Sequence, residues 1–146
     1  MHSAASSPFS RPQSIANAYR KVGVETGVHA ATPHQLVMML FDGYADSLIE
    51  ARGALAAKQI ERKGRAIGRA VRIIEEGLKA SLNLTDGGEL AADLRDLYAY
   101  VIVQLTRANL HNDDAALQQC RNLIEPLRAA WKSIGPQPDG QSTGPT

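Results

Sequence analysis

Four stretches of this chain repeat apolar residues every three or four positions, and short breaker segments part them. That spacing lines one side of an α-helix and scatters over both faces of a strand, so it commits the chain to helices. Leu36, Val37, Leu40, Tyr44, Leu48, Ala51 and Leu55 form a first seam, and Ile67, Val71, Ile74, Leu78 and Leu82 a second. Leu90, Leu94, Leu97, Val101, Leu105 and Ala108 form a third, and Leu117, Cys120, Ile124, Leu127, Trp131 and Ile134 a fourth. No Val/Ile/Thr-rich alternating run bounded by turns competes with them. The predicted class is all-α, and helices of this length on short connections predict an antiparallel four-helix bundle.

Boundaries follow from end chemistry. In "ATPHQL", Thr32 can accept from orphan amides, Pro33 suits the first helical position, and Gln35 completes a capping box. "DGG" breaks the second seam, Glu89 favours the start of a helix, and Asn112 and Asp113 are cap candidates for the fourth. The helices are therefore expected at about 33–57, 60–83, 89–111 and 114–134. Pro126 removes the amide that would bond the Asn122 carbonyl and is expected to bend the last helix. Residues 1–14 and 135–146, rich in Ser, Pro, Gly and Gln, read as flexible tails around a bundle spanning 15–134. The segment before Pro33 has modest apolar content and is expected to pack over the bundle without joining it.

Charge removes some functions. Sixteen Lys and Arg stand against fifteen Asp and Glu in 146 residues, so no global field draws nucleic acid or an anionic membrane. Uninterrupted apolar runs such as Leu36 to Phe41 are far too short to cross a bilayer. A lone Cys120 cannot form an internal disulfide. The chain reads as soluble and cytoplasmic, with no membrane insertion and no nucleic acid expected.

Catalytic patterns are missing. A di-metal bundle needs Glu-x-x-His pairs, but Thr26, Ala31 and Ala108 precede His29, His34 and His111 by three residues. "HNDD" is explained by capping, and Cys120 lies on a seam where burial suppresses the thiolate. No catalytic residue, metal or cofactor is expected.

Two surface features stand out. Arg62, Arg65, Arg69 and Arg72 form a basic stripe opposite the second seam, with Lys58 and Lys63 nearby. It reads either as a solvated face or as a docking stripe for an acidic protein or nucleic acid. "LYAYVIVQLTRANL", at 97–110, carries apolar side chains nearly all round: Tyr98 and Ile102 lie beside the seam, and Tyr100 and Val103 point elsewhere. Either that helix is central and covered by several neighbours, or part of its surface receives a partner. Met38, Met39, Ile49 and Ile73 also lie off the seams, as adaptable contact surface or as filler under the N-terminal segment.

"TPHQL", "LFDG", "GGEL", "LYAY" and "ANLHND", in this order and spacing, resemble the FliS family of flagellin-specific export chaperones over residues 15 to 134. The resemblance implies a small antiparallel bundle that holds the disordered C-terminal segment of flagellin in apolar surface grooves. It also implies that premature polymerisation is prevented and that the cargo is presented to the flagellar type III export apparatus. It implies no enzyme activity. Ile73, Tyr98 and Ile102 then become groove residues, Met39, Ile49, Asp93 and Asn109 further contact positions, and Tyr19 the aromatic of an N-terminal lid. Asp93 stands where relatives often carry asparagine. Contact with the export gate and pairing of unliganded copies through the groove remain open, as does a regulatory adaptor acting through the arginine stripe.

Overall fold

The computed structural model of the chain describes residue 17 and residues 31–84 and 87–135. Four α-helices make up most of it: α1 (Pro33–Ala56), α2 (Ile60–Arg72), α3 (Gly88–His111) and α4 (Asp114–Ile134). The expectations for both tails and for Tyr19 fall outside the described residues. The all-α class is as the periodicity predicts.

The helix ends show why the chain stops and starts where it does. At α1 the capping box is complete: Thr32 Oγ1 accepts from the Gln35 amide at 3.1 Å, and Gln35 Oε1 accepts from the Thr32 amide at 2.8 Å. Two adjacent residues divide the α3–α4 corner between them. Asn112 closes α3 in the left-handed conformation, φ 52°, and Asp113 caps α4 by accepting from the Ala116 amide at 3.1 Å. Asn112 therefore serves the helix before the turn, not the one after it. Pro126 lies within α4, which continues to Ile134; Asn122, whose carbonyl loses its amide partner, is exposed, so water can replace the missing bond.

The second seam departs from the single helix expected over 60–83. After Arg72 the chain widens into a π-helical segment, Ile73–Lys79, whose hydrogen bonds reach one residue further back. Ile73, Ile74 and Leu78 all stay buried through it. Gly77 lets Leu40 of α1 press against the backbone: a Cβ there would stand 2.9 Å from Leu40 Cδ2. Apolar spacing differs too little between α and π turns to reveal this beforehand.

Each helix packs on two others, α1 and α3 both touching α2 and α4. The four therefore form a ring with α1 and α3 at diagonal corners. Pairings run in opposite senses along neighbours. On the α1–α4 side, Asp42 meets Arg128 and Arg52 meets Asp114; on the α1–α2 side, Ser47 meets Arg69 and Glu50 meets Arg62. The bundle is antiparallel. Its core includes Leu40, Tyr44, Leu48, Ile67, Ile74, Leu78, Val101, Leu105, Leu117, Cys120 and Ile124, all at most 2 % exposed. Burying each large aliphatic side chain contributes about 1.5–3 kcal/mol. A polar link crosses this core, the Tyr44 hydroxyl donating to the Cys120 carbonyl at 2.9 Å. Burial pushes the Cys120 thiol up to about 11, which keeps it protonated and unreactive at neutral pH.

Candidate partner-binding surface

At about 100° per residue, the buried residues Ala91, Leu94, Tyr98, Val101, Leu105 and Ala108 occupy one continuous arc of α3. Ala99, Val103 and Leu110 fall within about 40° of one another on the opposite arc, with Tyr100 about 60° to one side. Val103 is 52 % exposed, Leu110 75 % and Tyr100 46 %. So α3 is a corner helix whose uncovered back carries exposed apolar residues set among the exposed Asp96, Thr106 and Arg107, not a central helix enclosed by neighbours. Asp93 is exposed, seven residues before Tyr100 and on the same side.

The expected groove residues separate. Tyr98 and Ile73 lie in the core, fully buried, and neither offers a surface in this arrangement. The reason is the width of the buried arc: α3 packs on both α2 and α4, which draws Tyr98 inward beside the seam. Ile102 and Met39 are half-buried and pack against the edge of the core. Ile49 is exposed on α1, at the corner diagonal to α3, so it does not share a surface with Val103. Asn109 faces α2, its carbonyl accepting from Lys63 Nζ at 2.9 Å. Tyr98 keeps one unusual property: its hydroxyl is buried without a hydrogen-bond partner among the described residues.

The arginine stripe also divides. Arg62 donates to Glu50 at 3.2 Å and to Gln59 at 2.9 Å, and Arg69 donates to the Ser47 hydroxyl at 3.1 Å, so both turn toward the α1 side. Arg65 and Arg72, seven residues apart, are exposed and bond nothing among the described residues. Lys63 does not belong with them. It is 3 % exposed, and its ammonium closes the end of α3 by donating to the Asn109 carbonyl and to Asn112 Oδ1 at 2.6 Å.

A family model described as flagellar protein FliS matches residues 15–138. The chain belongs to the FliS family. It is 43 % identical over 126 residues to the flagellar secretion chaperone FliS of Salmonella typhimurium, covering 86 % of this chain and 93 % of that one. It is 40 % identical over 116 residues to the flagellar secretion chaperone FliSB of Pseudomonas aeruginosa, covering 80 % and 91 %. To the flagellar secretion chaperone FliS of Vibrio cholerae it is 37 % identical over 120 residues, covering 82 % and 88 %. FliS is a chaperone family, not an enzyme family.

Within the FliS match fall the whole of α3 and the arginine stripe. Leu110 is the exposed residue that sequence reasoning missed. Its signal was present, because it follows Val103 by seven positions and therefore shares that side of the helix. No helix among the described residues is long and apolar enough to cross a membrane.

Proposed function

We propose that this chain is a cytoplasmic export chaperone that binds the disordered C-terminal segment of flagellin, prevents its premature polymerisation and passes it to the flagellar type III export apparatus. The observation that carries the reading is the apolar back of α3, where Tyr100, Val103 and Leu110 face outward on a bundle whose core is already complete. A monomeric fold gains nothing from exposing them, whereas a partner segment covers them on binding. A disordered ligand loses conformational entropy as it orders, and a long shallow strip offsets that loss through many modest contacts. From Ala99 to Leu110 the strip runs about 16 Å along the helix axis, room for several ligand side chains.

Ile102 borders the strip, while Asp93 and Asn109 supply polar contacts at its margins. Tyr98 lies inward of Ile102 on the buried arc, and its hydroxyl, without a partner among the described residues, gains one only if the ligand opens that edge of the core. Met39 and Ile49 on α1 extend the contact to the other side for a ligand that wraps around the bundle. Without cargo, the same apolar strip is where two copies of the chain would meet.

The experiment is a titration of the protein, and of its Val103→Asp variant, with a peptide covering the C-terminal segment of the host's own flagellin. Because Val103 is half exposed, the variant is expected to keep its helical circular dichroism and thermal midpoint while losing more than about tenfold in affinity, since a buried charge lacks a partner. Unchanged affinity in a folded variant would remove α3 from the binding surface.

A further inference from the structure

Arg65, Arg69 and Arg72 line an open depression of about 670 Å³ on the outside of α2, with Glu61, Gly64 and Gly68. Of the carboxylates around it, Glu50 pairs with Arg62 and Glu75 with Lys79, while Asp46 on α1 and Glu76 past Arg72 form no ion pair among the described residues and do not line the depression. Arg69 donates only to the neutral Ser47 hydroxyl, and Arg65 and Arg72 bond nothing among the described residues. The depression is thus lined by three guanidiniums and one carboxylate, Glu61, with which none of them forms an ion pair among the described residues.

The glycines add shape to this charge. Gly43 and Gly77 are explained by their neighbours, since a Cβ would stand 3.3 Å from Ile73 Cδ1 at the first and 2.9 Å from Leu40 Cδ2 at the second. Gly68 has open space above it, and Gly64 has only Asn109 Oδ1 at 3.9 Å. Packing within the chain does not require glycine at either position, yet both weaken α2 relative to alanine. Four residues apart, they leave a shallow track along which a second backbone can lie close, with arginine side chains at its border.

We propose that this face of α2 docks an acidic helical segment of a partner protein, its backbone on the Gly64–Gly68 track and its carboxylates paired with Arg65, Arg69 and Arg72. Steps of four and three between these arginines keep them on one side of α2, and carboxylates at the same steps on a partner helix meet them in register. Guanidinium forks suit carboxylates well. A nucleic acid would use the arginines but not the track, and no aromatic residue lines the depression to stack a base. This surface lies on a different helix from the apolar strip on α3 and takes a different chemistry.

The probe is an alanine-rich peptide of about sixteen residues, long enough to populate helix, with glutamates at steps of four and three. A second peptide carries glutamine at the same positions. Each is titrated into the ¹⁵N-labelled full chain. Shift changes are expected to concentrate on the amides of Gly64, Arg65, Gly68 and Arg72 with the glutamate peptide, and to fade with the glutamine peptide. The Arg65→Ala/Arg72→Ala double variant is expected to raise Kd about fivefold. Gly64→Ala/Gly68→Ala is expected to raise Kd comparably while raising the thermal midpoint, so lost binding is not lost folding. The proposal is overturned if no localised shifts occur, if the glutamine peptide binds equally, or if the alanine pair at 64 and 68 leaves Kd unchanged. Tighter binding of pyrophosphate or a single-stranded oligonucleotide at the same amides also overturns it.

Discussion

Lys63 of α2 reaches across to α3 and donates its ammonium to the Asn109 carbonyl at 2.9 Å, where the last turn of that helix has no amide of its own to offer. A second bond, to Asn112 Oδ1, fixes the left-handed residue that ends the helix. The cation also lies where the helix dipole is negative. Lys63 is thus a structural cap, although it sits among arginines that face water.

Replacing Lys63 by alanine removes a charged hydrogen bond and the packing of its stem, at an expected cost of about 2 kcal/mol in unfolding free energy. Lys63→Met, which keeps most of the stem, should lose less. Urea denaturation followed by the fluorescence of Trp131, the only tryptophan in the chain, measures both. A loss within about 0.5 kcal/mol for the alanine variant, the usual range for surface changes, would show that Lys63 is not a cap.

Two buried tyrosines should respond oppositely to loss of the hydroxyl. Tyr44 donates to the Cys120 carbonyl, whereas the Tyr98 hydroxyl has no partner among the described residues. Burial raises both phenols above their ordinary value, so both stay neutral throughout the useful pH range. Tyr44→Phe is expected to lower stability by about 1 kcal/mol, and Tyr98→Phe to raise it by about as much by removing an unpaired buried polar atom. Destabilisation by Tyr98→Phe would mean that the hydroxyl has a bond in solution.

At the α3–α4 corner the sign of a pH effect is fixed by one ion pair. Arg52 Nε and Nη2 donate to the two Asp114 carboxylate oxygens at 2.9 and 3.0 Å, and this bonding holds the Asp114 carboxyl below the ordinary carboxylate value. A depressed folded value gives stability that is present above the unfolded value and disappears as pH falls through the folded one. Its size is small, because the pair is exposed to solvent. The Asp114 carboxyl carbon, followed by NMR, should titrate at lower pH in the native protein than in Arg52→Gln. Equal midpoints would show that the pair does not persist in solution.

How far the sequence could be read depended on whether a residue's environment is set by one helix or by two. The Thr32 capping box and the seam from Leu36 to Ala51 are local, and the 3.6-residue period reveals them. The arc around Tyr98 is not local, because its width depends on how α2 and α4 flank α3. Leu90 shows the reverse error: it has seam spacing but lies in the first turn and is exposed. Lys63 could have been found, since it precedes Ile67 by four and so lies on the buried side of α2. Its neighbours' charge obscured that. Arg62 with Arg69 and Arg65 with Arg72 likewise fall into two seven-residue pairs, and only the position of α1 decides which pair is engaged.

The central claim is that the apolar back of α3 is a binding surface for a disordered flagellin segment. Its most direct test is calorimetric titration of the folded protein with the C-terminal flagellin peptide, at two temperatures and at low and high salt. The account predicts saturable binding, a negative heat-capacity change from apolar burial, and an affinity that changes little with salt. Binding with no heat-capacity change and a steep loss on adding salt would contradict it and place the contact on charged surface instead.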